Sequence, residues 1–291
     1  MITNNPMQLK AHIKNKAAEK HISAQLVMQN YMLERLLERI SLSPYRSNFI
    51  IKGGFLISAI VGLDTRATMD LDTTIKGLTL THETINRIFA DICAIPIADD
   101  IQFEIAGTTD IRDADDYPGI RVALKANYQP ISVPLTVDVT TGDMITPREI
   151  EYAFPLLFDD RTISVLAYNL ETVLAEKMET ILTRNIANTR LRDYYDIHIL
   201  YALHGSQCQI STLRQALERT TEKRGSSSIL EDYPEIMSEI LKSERLRKQW
   251  EKYAREYEYA KDISFDDACK TIRTLMDRIA TQGAPESSHE T

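Results

Sequence analysis

Asp70 and Asp72 flank Leu71 in a threonine-rich stretch, 69–75, that alternates like a strand. In a strand, residues i and i+2 project from one face. Two carboxylates held side by side repel each other unless a cation lies between them. Hard divalent cations such as Mg²⁺ take oxygen ligands, so the pair is a candidate metal site. The plainer reading is two solvated aspartates on a strand edge. A third carboxylate, Asp138, sits in a run where Leu135, Val137 and Val139 fall on one face and Thr136, Asp138 and Thr140 on the other. On a strand beside the first pair, Asp138 would complete a set able to hold two metals, as phosphoryl transfer requires. Upstream, Lys52-Gly53-Gly54 separates the apolar run Phe49-Ile50-Ile51 from an apolar helix at 55–61. Glycines there let backbone approach a phosphate, and a helix N-terminus offers free N–H groups to the anion.

A second constellation lies in the later, helical part. Leu170, Val173, Leu174, Met178 and Ile181 form an apolar stripe, and Lys177 falls within or beside it. A lysine there is costly unless it is paired or reaches a ligand. On the following helix Asp193 and Asp196 share a face with Ile197 and Leu200. The bare pattern reads as an interhelical salt bridge, for example Lys177 with Asp193. Farther on, Lys242, Arg245, Arg247, Lys248, Lys252 and Arg255 cluster in one expected helix beside Trp250 and Tyr253. This is either a solvated helix face with its aromatics in the core or an RNA-contacting surface, where lysine and arginine meet phosphates. His198 and His204 have no third ligand nearby in sequence and read as packed or surface residues. Residues 69–73 and Tyr194, Tyr195 and Tyr201 read as core.

Gly53-Gly54, then Arg66-Ala67-Thr68-Met69-Asp70-Leu71-Asp72, then the strand ending at Asp138, resembles the active-site signature of the DNA polymerase β-like nucleotidyltransferases. Among these the chain is most similar to the AbiEii/AbiGii family of bacterial toxins, and the resemblance extends over nearly the whole chain. Many superfamily members open the motif with Gly-Ser; Gly-Gly is common in the AbiEii-type branch. The resemblance implies that Asp70 and Asp72 bind Mg²⁺ (or Mn²⁺) and the nucleotide phosphates. Asp138 is then the third ligand and helps to deprotonate the acceptor hydroxyl. Gly53 and Gly54 hold the triphosphate, with Lys52 and Arg66 beside them. The family's lysine and following Arg-Asp-x-x-Asp-like element correspond to Lys177 and to Arg192, Asp193 and Asp196. Lys177 would neutralise triphosphate charge, and Asp193 would orient Lys177 or the acceptor. The implied reaction moves a nucleoside monophosphate from an NTP to an acceptor hydroxyl, with the 3′ end of tRNA as the expected acceptor. The implied role is the toxin of a toxin–antitoxin or phage-defence pair, with an antitoxin encoded nearby that need not bind it directly. The alternatives are a nucleotide- or RNA-binding module that performs no transfer, and a transferase acting on a small molecule or protein.

These residues need particular elements behind them. The first fifty residues read as helical, with Leu33, Leu36, Leu37 and Ile40 on a buried stripe and Ser43-Pro44 as the stop. Strands are expected at 49–51, 69–75, 101–105, 120–126 and 131–139, with a helix at 81–93 and a turn at 115–119. From residue 169 the pattern is helical: 170–186, 190–204, 210–222, 232–258 and 264–281. The expected fold class is α+β. An N-terminal nucleotidyltransferase domain, a mixed sheet with helices over 1–165, precedes a C-terminal helical bundle over 166–281 and a disordered tail over 282–291. The length of 291 residues suits such a plan. With 43% apolar and 26% charged residues the composition is that of an ordinary globular protein. A net charge of −8 excludes a globally basic nucleic-acid binder, so any such contact must be local. Cys93, Cys208 and Cys269 lack metal-ligand spacing and are expected as buried free thiols in a reducing compartment. No apolar leader or spanning segment is seen, so the expected location is the cytoplasm, away from membranes.

Overall fold

The structure, a computed structural model, describes residues 5–111 and 119–282. It divides into two compact units: Met1–Asp143 with Glu149–Tyr168, and Met144–Arg148 with Asn169–Thr291. The expected turn at 115–119, apart from Gly119, and the expected tail, apart from Gln282, lie outside the described residues.

The first unit opens with α1 (Pro6–Glu19) and α2 (Ala24–Leu42). Each starts on a polar cap: Asn5 accepts from the Met7 N–H, and Ser23 from that of Leu26. The predicted stripe of Leu33, Leu36, Leu37 and Ile40 is buried. α2 is enclosed so completely that its charged residues are buried as well. Arg35 pairs with Glu34 and Glu38, and Arg39 with Asp99.

The sheet has seven strands: β1 (Phe49–Lys52), β2 (Asp70–Ile75), β3 (Gln102–Ile111), β4 (Gly119–Tyr128), β5 (Ile131–Thr141), β6 (Ile150–Pro155) and β7 (Thr162–Ala167). Their order is β3-β4-β5-β2-β1-β7-β6. β3, β4 and β5 form an antiparallel meander, β5 runs parallel to β2, and β1 is antiparallel to β2 and parallel to β7. Helix α3 (Gly53–Val61) follows β1 without a linker, and α4 (His82–Cys93) buries Ile85, Ile88, Phe89 and Ile92. The inward set on β5 is Leu135, Val137 and Val139, as the alternation predicts.

β6 and β7 were not among the expected strands. In β7 only Ile163, Val165 and Ala167 are buried, against exposed Thr162 and Ser164, a signal of three positions. β6 buries Phe154 alone and lies at the sheet edge, where strands need little apolar content. Some core expectations also change. Met69, just before β2, and Asp70 are exposed, Asp72 is half-buried, and Tyr201 is half-buried with its hydroxyl on Arg278. Cys208 and Cys269 are buried and Cys93 is half-buried; all three are free thiols.

The second unit contains α5 (Leu170–Arg184), α6 (Leu191–His204), α7 (Ile210–Arg224), α8 (Ile229–Lys242), α9 (Glu244–Glu256) and α10 (Phe265–Thr281). Asn169 caps α5 through the Thr172 N–H and donates to the carbonyls of Thr146 and Arg148, tying the 144–148 segment to the helices. The single helix expected over 232–258 is two. Ser243 is extended, and its hydroxyl accepts from the Leu246 N–H, so the chain leaves α8 and is recapped for α9. Lys242 therefore ends α8, while the other five residues of the basic cluster lie on α9.

Candidate functional site

The register of β2 against β5 sets Asp72 opposite Asp138, with Asp70 opposite Thr136. Paired strands lie about 4.8 Å apart, so carboxylates on the shared face are neighbours. Asp70 is exposed; Asp72 and Asp138 are half-buried. The burial of Asp72 and the negative charges of Asp138 and Asp70 push its carboxyl above the usual aspartate range, against the pull of Lys52 and the Gly54 N–H. Neighbouring carboxylates of this kind attract a counter-cation.

The glycine pair explains how Asp72 is held. Gly53 has φ +61°, a conformation that favours glycine, and a Cβ built on it would meet Asp72 Oδ2 at 2.1 Å. The Gly54 N–H, in the first turn of α3, donates to the same oxygen at 3.2 Å. The helix N-terminus expected to meet a phosphate thus seats a carboxylate of the chain itself. Arg66 is buried, donates to the Ala67 carbonyl, and stands where a Cβ at Gly54 would meet it.

Lys52, paired in register with Asp72, sends its ammonium to Asp143 Oδ2 at 2.5 Å and to Thr140 Oγ1 at 2.8 Å. Tyr168 Oη donates to the same Asp143 oxygen at 2.7 Å. Burial alone would raise the Asp143 carboxyl; Lys52 and these hydrogen bonds outweigh it and hold the group below the usual range.

Asp138 carries a different partner. Arg121, opposite it on β4, places Nε 2.8 Å from Oδ1 and Nη2 2.8 Å from Oδ2, a two-pronged charged pair. That hydrogen-bonded pairing, then the charges of Asp138, Asp70 and Asp72, hold the guanidinium more firmly protonated than usual. Among the described residues no three His, Cys, Asp or Glu side chains are gathered to hold a metal ion as they stand. In chemistry, the all-oxygen donor set of Asp70, Asp72 and Asp138 fits Mg²⁺ or Mn²⁺.

In the second unit Lys177, on α5, meets both aspartates of α6. Its Nζ lies 2.7 Å from Asp193 Oδ1 and 2.8 Å from Asp196 Oδ2. Both carboxylates are fully buried, and Arg190 approaches the other oxygen of Asp193 at 2.9 Å. Burial alone would lower the lysine; the two aspartates reverse this and hold it above its usual value. The interhelical salt bridge of the bare pattern is present, with two acceptors rather than one.

Arg190 and exposed Arg192 also line a cleft of about 410 Å³ with Lys252, Glu256, Tyr253 and Tyr257. Lys242, Arg245 and Lys248 are exposed. Arg247 is engaged, with a two-pronged pair to Asp266 at 2.7 and 3.0 Å and Phe265 beneath its guanidinium. Arg255 bonds the Glu251 carbonyl and lines a separate hollow.

The family model described as "Nucleotidyl transferase AbiEii toxin, Type IV TA system" matches residues 35–271, which contain every side chain named above in this site. The chain belongs to the AbiEii family. Membership makes it a nucleotidyltransferase of the type IV toxin–antitoxin class, and implies an NTP donor and an antitoxin partner. Two crystal structures from Helicobacter pylori are similar to it. One, of a candidate nucleotidyltransferase, shares 13% identity with a TM-score of 0.49, covering 90% of this chain and 100% of that one. The other, of JHP933, shares 14% identity with a TM-score of 0.49, covering 89% and 95%. No curated protein sequence matches the chain significantly. No helix among the described residues is long and apolar enough to cross a membrane.

Beside the AbiEii motif, Arg121, Asp143, Tyr168 and Arg190 are the residues at these clusters to which sequence reasoning assigned no role. Asp143 had a signal, a second carboxylate five residues after Asp138. Arg121 had none, because only the pairing of β4 with β5 brings it to Asp138.

Proposed function

We propose that this AbiEii-family protein transfers a nucleoside monophosphate from an NTP to the 3′-hydroxyl of tRNA, with Mg²⁺ or Mn²⁺ held by Asp70, Asp72 and Asp138, and that this reaction is its toxic activity. The observation that carries the reading is the register pair Asp72–Asp138 on parallel strands, with Asp70 on the same face and Gly53-Gly54 locking Asp72 in place. Bound there, the metal would neutralise triphosphate charge and polarise the phosphorus under attack. The acceptor oxygen bonds to the α-phosphorus, the bond to the β-phosphate breaks, and pyrophosphate leaves. An oxygen of Asp138 accepts the hydroxyl proton. Lys52 fixes Asp143 and Thr140 beside the cluster and lends positive charge to Asp72.

Support for an RNA acceptor comes from the second unit. Its cleft combines Arg190, Arg192 and Lys252 with Tyr253 and Tyr257, so phosphates and unpaired bases would both find partners there. Lys177 is assigned to the transfer by family resemblance, with Asp193 and Asp196 orienting its ammonium.

The test is label transfer. The protein is incubated with metal, each α-phosphate-labelled ribonucleotide in turn, and total bacterial tRNA, beside Asp70→Ala. Asp70 is exposed, so its removal should leave the fold intact. Label in tRNA that disappears in the variant supports the assignment; equal label in both sinks the metal site. Arg121 on Asp138 favours a second reading, a nucleotide-binding module without transfer. That reading predicts a metal-dependent nucleotide shift in melting temperature with no pyrophosphate released. Pyrophosphate release with unlabelled tRNA would instead move the acceptor to a small molecule or protein.

A further inference from the structure

Resting on the transfer reading above, we propose that Arg121 is a positioning residue that competes with the divalent cation for Asp138 and, once displaced, serves as a phosphate ligand for the donor nucleotide. Both oxygens of Asp138 are engaged by the guanidinium at 2.8 Å. A cation approaching those oxygens meets a like charge at close range, so the two cannot share the carboxylate on equal terms. The competition is local, because Asp138 has Asp72 as its register neighbour on one side and Arg121 on the other. Arg121 therefore stands beside the whole carboxylate face.

The side chain is free to leave. It is 50% exposed, against 17% for Asp138, so swinging it away opens no cavity in the core. Its neighbour along the same face of β4 is Ala123, which leaves room for the sweep. The guanidinium fork matches phosphate as well as it matches carboxylate. A triphosphate delivered with its metal would thus supply the partner that Arg121 gives up, and each cation would exchange one anion for another.

The test measures Mn²⁺ binding to the full chain without nucleotide, by electron paramagnetic resonance, in wild type, Arg121→Gln, Arg121→Lys and Asp70→Ala. Arg121→Gln should bind Mn²⁺ about tenfold more tightly than wild type, equivalent to about 1.4 kcal/mol. At saturating Mn²⁺ it should bind a non-hydrolysable NTP more weakly. Arg121→Lys, which keeps the charge but no longer grips both oxygens, should bind Mn²⁺ more tightly than wild type and less tightly than the glutamine variant, and it decides the matter if the glutamine variant does not fold. Unchanged or weaker Mn²⁺ binding in a folded Arg121 variant overturns the proposal, since a merely structural arginine would produce that result. Mn²⁺ binding that survives Asp70→Ala overturns the metal-site reading itself, and the proposal with it.

Discussion

Gly53 shows how tightly a single residue can be specified. Its φ of +61° and the 2.1 Å approach that a Cβ would make to Asp72 leave no place for a side chain. Gly53→Ala should cost on the order of 1–2 kcal/mol from backbone conformation alone, before Asp72 is displaced. Urea unfolding would read the loss, and a variant as stable as wild type would refute this geometry. Lys177 makes a larger claim. Lys177→Met leaves two fully buried aspartates facing each other and should cost about 3–5 kcal/mol. The pH dependence has a definite sign. A lysine raised in the folded state contributes its full stabilisation below the unfolded value of about 10.4 and loses it as pH rises through the folded one. The gap between wild type and Lys177→Met should therefore hold from neutral pH to about pH 10 and shrink above it. A gap that closes by pH 9 would contradict the pairing.

Among the elements, the boundary between α8 and α9 turns on one hydroxyl. Ser243→Ala removes the cap on the Leu246 N–H and should destabilise by about 1 kcal/mol, readable as a fall in melting temperature. No change would mean that the break is held by something other than the cap. The same junction shows why the sequence reading ran the two helices together: apolar spacing continues across Ser243, and a serine inside a polar stretch is a weak stop. The strands divide similarly. β2 and β5 were legible because Leu71, Leu135, Val137 and Val139 alternate against polar neighbours. β6 was not, because an edge strand that buries Phe154 alone carries almost no period. Register is the element-scale fact on which the site depends. A slip of one residue between β2 and β5 would take Asp138 from the face it shares with Asp72.

For the molecule as a whole, the net charge of −8 works against RNA, so binding must draw on local cations and respond steeply to salt. Each phosphate met in a single strand contributes a slope of about −0.7 in log K against log salt. Replacing Arg192 and Lys252 together with alanine should weaken binding of a labelled single-stranded RNA and flatten that slope by about 1 to 2, measured by fluorescence anisotropy across salt. An unchanged slope would remove the cleft from the RNA surface.

The sequence by itself determined the α+β class, and it singled out as candidates the three aspartates, the glycine pair, and Lys177 with its two possible partners. Local periods and residue chemistry carry that information, because side-chain direction in a strand or helix follows from spacing alone. Only the tertiary structure decided which strands pair and in what register, and hence that Asp138 faces Asp72 on one side and Arg121 on the other. It also decided that Lys177 takes both aspartates and that Lys52 is given to Asp143. Partners brought together from distant positions in the chain leave no mark in local spacing, since their contact depends on how the sheet and helices pack.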